Sequence, residues 1–148
     1  MKDTINRLQA LSQQGVDFLS TVQSSELLLK EHPEKWSKQE ILGHLIDSGI
    51  NNLQRFTEIQ FEEKPFKVVS YNQDELVKAN DYQSADLNEL LQFFRSINNR
   101  ILKVMEMQTD ESLSFRIELG NGEAADLRFL MIDYVDHLAH HLKQIQGK

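Results

Sequence analysis

Four long stretches of this chain repeat apolar residues at steps of three and four, with breaks between them. That period matches the 3.6 residues per turn of an α-helix, so each stretch reads as a helix with one apolar stripe. The first covers 3–30, with Leu8, Leu11, Gly15, Phe18, Val22 and Leu29 on the seam. Pro33 breaks it, because proline ends a helix at or before its predecessor. Ser37-Lys38-Gln39-Glu40 then forms an S-x-x-E capping box, which starts a second helix near Lys38 that runs to about Phe61. Trp36, just before the cap, is placed to staple against Ile41 or Leu42. Pro65 closes this helix, residues 66–72 read as irregular, and Asn72 to Asn80 reads as a short surface helix. A third long helix spans about Asp86 to Met107, with Leu90, Phe94, Ile97, Ile101 and Met105 among its inward positions. Leu113, Phe115, Ile117 and Leu119 alternate with polar residues ahead of Gly120-Asn121-Gly122, the pattern of a small strand or hairpin with a tight turn. Asp126 is the N-cap of a fourth helix over 127–146. Four helices with one stripe each predict an all-α, up-down four-helix bundle, with at most a small strand or hairpin before the last helix.

At 148 residues the chain is expected to form one domain over 1–148, large enough to bury a core unaided. Its net charge of −7 and lack of any basic stripe argue against nucleic acid as a partner. With no cysteine, it offers no disulfide, no thiolate ligand and no Cys nucleophile, so any thiol chemistry needs a small-molecule thiol from solution. No run approaches the roughly 20 apolar residues of a membrane span, and the first residues lack the apolar region of a secretory signal. A cytoplasmic protein without membrane contact is the expectation.

Chemistry concentrates on the histidines. The segment Asp133-Tyr134-Val135-Asp136-His137-Leu138-Ala139-His140-His141 carries three of the chain's five. At about 100° per residue, with His137 at zero, Leu130, Tyr134, His141, Leu127, Ile145 and Leu138 fall between about +20° and +100°. His137 and His141 thus share the edge of the core stripe, one turn apart, while His140 falls outside it. On the second helix, Ser48, Asn51 and Arg55 lie within about 40° of His44. They form a polar line beside the apolar face, which is either a solvated flank or the wall of a pocket. Imidazoles from two packed helices suit a divalent transition metal, with Zn²⁺ first and Ni²⁺, Fe²⁺ or Mn²⁺ as alternatives. Three neutral imidazoles leave coordination positions open, as catalytic sites require. Asp133, one turn before His137, is placed to accept the second N–H of that ring or to stand exposed as an ordinary helix carboxylate. Tyr134 is a weak acid–base candidate. Arg55 lies too far along the helix to touch the same ion; it can meet a substrate carboxylate or a structural acid. Asp47 is a possible fourth ligand or base, although exposure is the expectation. His32, in a loop beside Pro33, is assigned nothing.

Three segments together resemble the DinB-like superfamily over nearly the whole chain. They are Trp36-Ser37-x-x-Glu40-Ile41-Leu42-Gly43-His44-Leu45-Ile46-Asp47-Ser48, Asn51-Asn52-x-Gln54-Arg55-Phe56, and Asp133-Tyr134-Val135-x-His137-x-x-His140-His141-x-x-Gln144-Ile145. The resemblance implies a four-helix bundle with a three-histidine metal site at His44, His137 and His141, the same residues selected by the helical faces. It also implies kinship with YfiT-type metal-dependent hydrolases and with transferases that join small thiols such as bacillithiol or mycothiol to electrophiles. Many such proteins are homodimers. Leu53 stands where the nearest subgroup is expected to carry histidine, but it lies on the opposite side of the helix from His44.

Two functions follow from these expectations. The first is a metal-dependent enzyme whose three-histidine ion activates water or a small thiol, making it a hydrolase or a thiol S-transferase with a small-molecule substrate. The second is a non-catalytic, dimeric bundle that binds a metal or ligand without turnover.

Overall fold

The computed structural model describes residues 1–148. The four long helices are α1 (Lys2–Leu19), α3 (Lys38–Glu58), α5 (Leu87–Glu106) and α7 (Leu127–Gln146). Shorter elements fill the connections: α2 (Ser24–Leu27), β1 (Phe66–Lys67), α4 (Gln73–Ala79), a 3₁₀ turn at Tyr82–Ser84, α6 (Asp110–Leu113), β2 (Arg116–Glu118) and β3 (Ala124–Asp126). No helix is long and apolar enough to cross a membrane.

The helix starts follow their capping chemistry. Ser37 Oγ accepts from the Glu40 amide at 3.1 Å, and the Glu40 carboxylate accepts from the Ser37 amide at 2.9 Å, completing the reciprocal box. Asn72, Asp86 and Asp126 cap α4, α5 and α7 through the amide three residues on. At the far end of α7, Gly147 takes the left-handed conformation (φ 72°) that stops the helix.

The first helix is shorter than its periodicity predicts. α1 stops at Leu19, where Ser20 Oγ takes the Val16 carbonyl and Thr21 Oγ1 the Phe18 carbonyl. The Ser20 amide still bonds the Val16 carbonyl, but the Thr21 amide bonds Phe18, three residues back, so the ladder tightens and ends there. The chain restarts as α2, which buries Leu27 and leaves Leu29 exposed. Trp36 is found against the ring of His44, at 4.7 Å between centroids.

α3 packs on α5 and α7, and α1 packs on the same two helices, so α1 and α3 lie on one diagonal of the bundle. Side-chain contacts fix the directions. Lys38 at the start of α3 donates to the Ile145 carbonyl at the end of α7, so these two run antiparallel. Arg7 pairs with Asp136, and Gly15 meets Leu142, so α1 and α7 run parallel. Gln39 reaches Ala85 at one end of the α3–α5 pair, and Gln60 reaches Gln108 at the other. The four-helix bundle is as expected, with one difference: α3 and α5 are parallel, so the directions are up, down, down, up. The long connection from Ile59 to Asp86 carries the chain back along the bundle and makes this possible.

β2 and β3 form the expected hairpin, closed through Gly122 at φ 84°, a conformation that favours glycine, but Leu113 of the alternating run ends α6 instead of opening the strand. Two residues of the segment read as irregular, Phe66 and Lys67, add a parallel strand beside β2. So short a strand leaves no period to detect. The core joins Leu8, Leu19, Leu42, Ile46, Phe56, Phe94, Ile101, Met131, Val135 and Leu142 from all four long helices.

One close approach controls the neighbourhood of His44. A Cβ placed on Gly43 meets the Tyr82 ring at 2.1–2.2 Å, so α3 and the 3₁₀ turn touch only because residue 43 has no side chain. Gly43→Ala is therefore expected to destabilise the protein by about 1–3 kcal/mol through overpacking. That outweighs the gain of about 1 kcal/mol that alanine brings to an ordinary helix position. Urea denaturation measures the change, and a midpoint at or above that of the parent contradicts it.

Candidate metal centre

The antiparallel contact of α3 and α7 brings three imidazoles to one point. His44 is fully buried, and His137 and His141 are half-buried. His44 Nε2 lies 3.0 Å from His137 Nε2, and His141 Nε2 lies 3.1 Å from the same atom. The three rings meet edge to face, with centroids 4.5–4.9 Å apart. An imidazole nitrogen has one in-plane lone pair or one proton, so His137 Nε2 cannot bond well to both neighbours at once. Nitrogens held about 2.0–2.1 Å from one ion lie about 2.9 Å apart at right angles and about 3.4 Å apart at tetrahedral angles. The two separations from His137 Nε2 fall in that interval, the ligand atoms of all three rings lie within 4.8 Å of one another, and the donor set suits a divalent transition metal.

The outer nitrogens decide which lone pairs point inward. Gln144 Oε1 lies 2.8 Å from His141 Nδ1 and accepts its proton, leaving Nε2 free to ligate. Ser48 Oγ faces His137 Nδ1 at 3.5 Å. His44 Nδ1 is buried with no hydrogen-bond partner. Burial lowers the affinity of these rings for protons, and neighbouring imidazoles lower it further. His44 is brought down to about 3 and His137 to about 4, while His141 is lowered by burial against the opposing bond from Gln144. All three are neutral near pH 7, the form that ligates.

The remaining candidates fall in different places. Ser48 is buried against His137. Asn51 donates to the Asp47 carbonyl of its own helix at 2.9 Å. Arg55 ties down the segment after β1, donating to the Val69 carbonyl and lying 5.4 Å from the Tyr71 ring centroid. Asn51 and Arg55 also line a shallow pocket with Phe66, Lys67 and Val69. Asp133 is exposed and makes no hydrogen bond to His137, because Ser48 occupies that side of the ring. Tyr134 points into the bundle, where its hydroxyl donates to Asn98 Oδ1 at 2.7 Å. Burial raises its pKa, so it has neither the access nor the acidity for proton transfer at the histidines. His140 is exposed and touches the cluster only through the His141 ring. Leu53 packs against the core.

Asp47 departs most from expectation. It is buried, with 3% of its surface exposed, and it is not among the converging ligands. Oδ1 accepts from Tyr82 at 2.6 Å and from Asn80 at 3.2 Å, while Oδ2 has no partner. Burial raises its pKa, and the Tyr82 hydrogen bond opposes the rise. Both partners come from the α4–α5 connection, which no periodicity places over α3. Gln144 was also missed as a partner of His141, although its spacing of three residues along α7 is the signal that finds it.

The fold and the cluster together define a four-helix bundle with three imidazoles from two antiparallel helices, arranged as metal ligands are arranged. The chain belongs to the DinB superfamily, whose pattern matches residues 7–145. No curated protein matches the sequence. Among solved structures, it resembles YfiT from Bacillus subtilis, described as a probable metal-dependent hydrolase with an unusual four-helix bundle topology. The TM-score is 0.88 at 21% identity, covering 99% of this chain and 83% of that one. A mycothiol-dependent maleylpyruvate isomerase matches with a TM-score of 0.73 at 13% identity, over 95% of this chain and 58% of the other. A DinB-like protein from Bacillus cereus matches with a TM-score of 0.68 at 14% identity, over 99% and 89%. At these identities the structural likeness speaks for the fold.

The depressed histidines give a pH dependence with a definite sign. A ring with pKa 6.5 in the unfolded chain and about 3 or 4 in the fold binds its proton more tightly when unfolded. Its neutral form therefore favours folding above pH 6.5, and that contribution is lost as pH falls towards 4. Metal-free protein is expected to lose stability through this window, and a His137→Gln variant is expected to lose less. Thermal melts of both in chelator across the window measure the difference. Parallel pH profiles contradict it.

Proposed function

We propose that His44, His137 and His141 hold one divalent transition ion, zinc in the first instance, through their Nε2 atoms. We further propose that the protein is a metal-dependent enzyme acting on a small molecule, as a hydrolase or a thiol S-transferase. The observation that carries this is the convergence of three imidazoles on one point, with His44 and His141 Nε2 both within 3.1 Å of His137 Nε2, which cannot serve both in good hydrogen bonds. A bound ion there lowers the pKa of water or of a thiol and so supplies a nucleophile near neutral pH.

The chain's own residues prepare the site. Gln144 fixes the His141 tautomer, Ser48 stands against His137, and burial keeps all three rings neutral. Three protein ligands leave positions for a nucleophile and a substrate. The lack of cysteine suits a thiol taken from solution, and the likeness to a mycothiol-dependent enzyme supports including that class of co-substrate. Asn51 and Arg55 offer a polar, cationic wall further along α3 for a substrate's remote group.

Protein purified without a histidine tag is expected to carry about one ion per chain by elemental analysis. His44→Ala and His141→Ala are each expected to weaken binding at least about a hundredfold, the upper end of what loss of an outer partner alone costs. His140→Ala is expected to bind as the parent does. A parent chain that takes up no zinc, nickel, iron or manganese removes the metal reading. With metal bound, turnover is screened with small thiols plus electrophiles, and with esters and amides. A loaded protein inactive in every screen favours the non-catalytic binding module.

A further inference from the structure

We infer that Asp47 is the positioning residue of this centre: its free oxygen takes the Nδ1 proton of His44 and holds that ring with Nε2 towards the ion. Asp47 has this role only if the histidines bind metal as proposed above.

Three buried side-chain atoms in the molecule lack a hydrogen-bond partner, and two of them are His44 Nδ1 and Asp47 Oδ2. They are chemically complementary. If Nε2 of a neutral imidazole is to donate its lone pair to an ion, the proton must sit on Nδ1, and a buried N–H needs an acceptor. A carboxylate oxygen is a strong one, and Asp47 Oδ2 is sealed in with nothing to accept from.

Placement on α3 favours the link. Residues three apart are neighbours on a helix, and side chains lean towards the helix N-terminus, so Asp47 leans over the turn that holds His44. Its partners hold it there. Tyr82 donates at 2.6 Å from a ring seated on Gly43, and Asn80 donates at 3.2 Å. Both use Oδ1, which leaves Oδ2 as the atom available to His44. The other two rings have outer partners on their Nδ1 atoms, in Gln144 and Ser48. Asp47 supplies the third. In the structure the two atoms are not bonded to each other, and the inferred bond has the side chains turn to join them; Trp36 contacts His44 ring to ring and takes neither of its nitrogens.

The test uses Asp47→Asn, with zinc affinity read by competition against a chromophoric chelator. An asparagine has one acceptor oxygen, which Tyr82 and Asn80 claim, so it turns its N–H₂ towards His44. That favours the tautomer with the proton on Nε2, which cannot ligate. The expected loss of zinc affinity is about 10- to 100-fold, as for other outer partners of ligating histidines. Imidazole ¹⁵N shifts of His44 report the tautomer directly: Nδ1–H in the parent, and a shift towards Nε2–H in the variant. Asn98→Ala, which removes a buried amide that serves Tyr134, controls for lost stability; it should melt earlier yet bind zinc as the parent does. If Asp47→Asn does not fold, Tyr82→Phe keeps the ring over Gly43 and removes one of the donors that fix the carboxylate. It is expected to weaken zinc binding by several-fold. Parent-like zinc affinity in every folded variant of this pair, with His44 unchanged in tautomer, overturns the assignment while leaving the metal site standing. A parent that binds no zinc overturns both.

Discussion

The start of α3 is the constraint on which the rest depends. Every residue on a helix is placed in rotation by the point at which the helix begins. Here that point is set by a buried capping box at Ser37 and Glu40. The box is itself pinned, since Lys30 pairs with Glu40 at 3.0 Å and Ser37 Oγ donates to Gln83 in the 3₁₀ turn. From that start, His44 falls towards α7, Gly43 towards Tyr82, and Ser48 beside His137. A slip of one residue turns each of them by about 100° and separates the imidazoles. Buried caps are more often a matter of stability, typically about 1 kcal/mol. In this chain the cap also sets the angular position of a chemical group seven residues away.

The histidine cluster could be read from the chain because it obeys helical geometry on two elements. His137 and His141 are one turn apart, and His44 sits at the boundary between an apolar and a polar face. Both facts follow from spacing alone. The long helices and the caps at Ser37 and Asp126 were legible for the same reason: each is decided by residues within one turn of itself. What escaped depends on contacts across the sequence. The fate of Asp47 rests on Asn80 and Tyr82, delivered by a connection whose path no local pattern dictates. β1 is two residues long and exists only because β2 is there to pair with it. The parallel run of α3 and α5 follows from how the connection between them is folded, and amphipathic stripes carry no direction. The early end of α1 comes where the Thr21 amide bonds three residues back and the ladder closes, a local tightening that periodicity does not weigh.

Tyr134 illustrates how angle and depth differ. It lies on the same broad face of α7 as the histidines, which made it an acid–base candidate. Yet the face of a helix in a bundle looks in two directions at once. Its edge faces the seam with α3, and its centre faces the core. His137 and His141 occupy the edge, while Tyr134 occupies the centre, against Phe56 and Asn98. The same division explains His140, which lies beyond the edge and is exposed.

Neutral imidazoles in a partly apolar seam are a compromise between two demands. An ion needs unprotonated nitrogen, which burial favours by penalising the charged ring. Burial also strips each ring of water, so its outer N–H must find a protein acceptor or bear the loss. The structure resolves the two demands unequally. His141 is half-buried and uses an exposed glutamine; His137 is half-buried and uses a buried serine at the limit of hydrogen-bond length. His44 is wholly buried, so its outer nitrogen needs an acceptor most, and the strongest acceptor nearby is a carboxylate that is itself buried. A carboxylate in such a place is tolerated because Tyr82 and Asn80 stabilise it, and Tyr82 reaches it only because Gly43 leaves room for the ring. The glycine, the tyrosine and the aspartate thus form one chain of dependence that ends at the most buried of the three histidines.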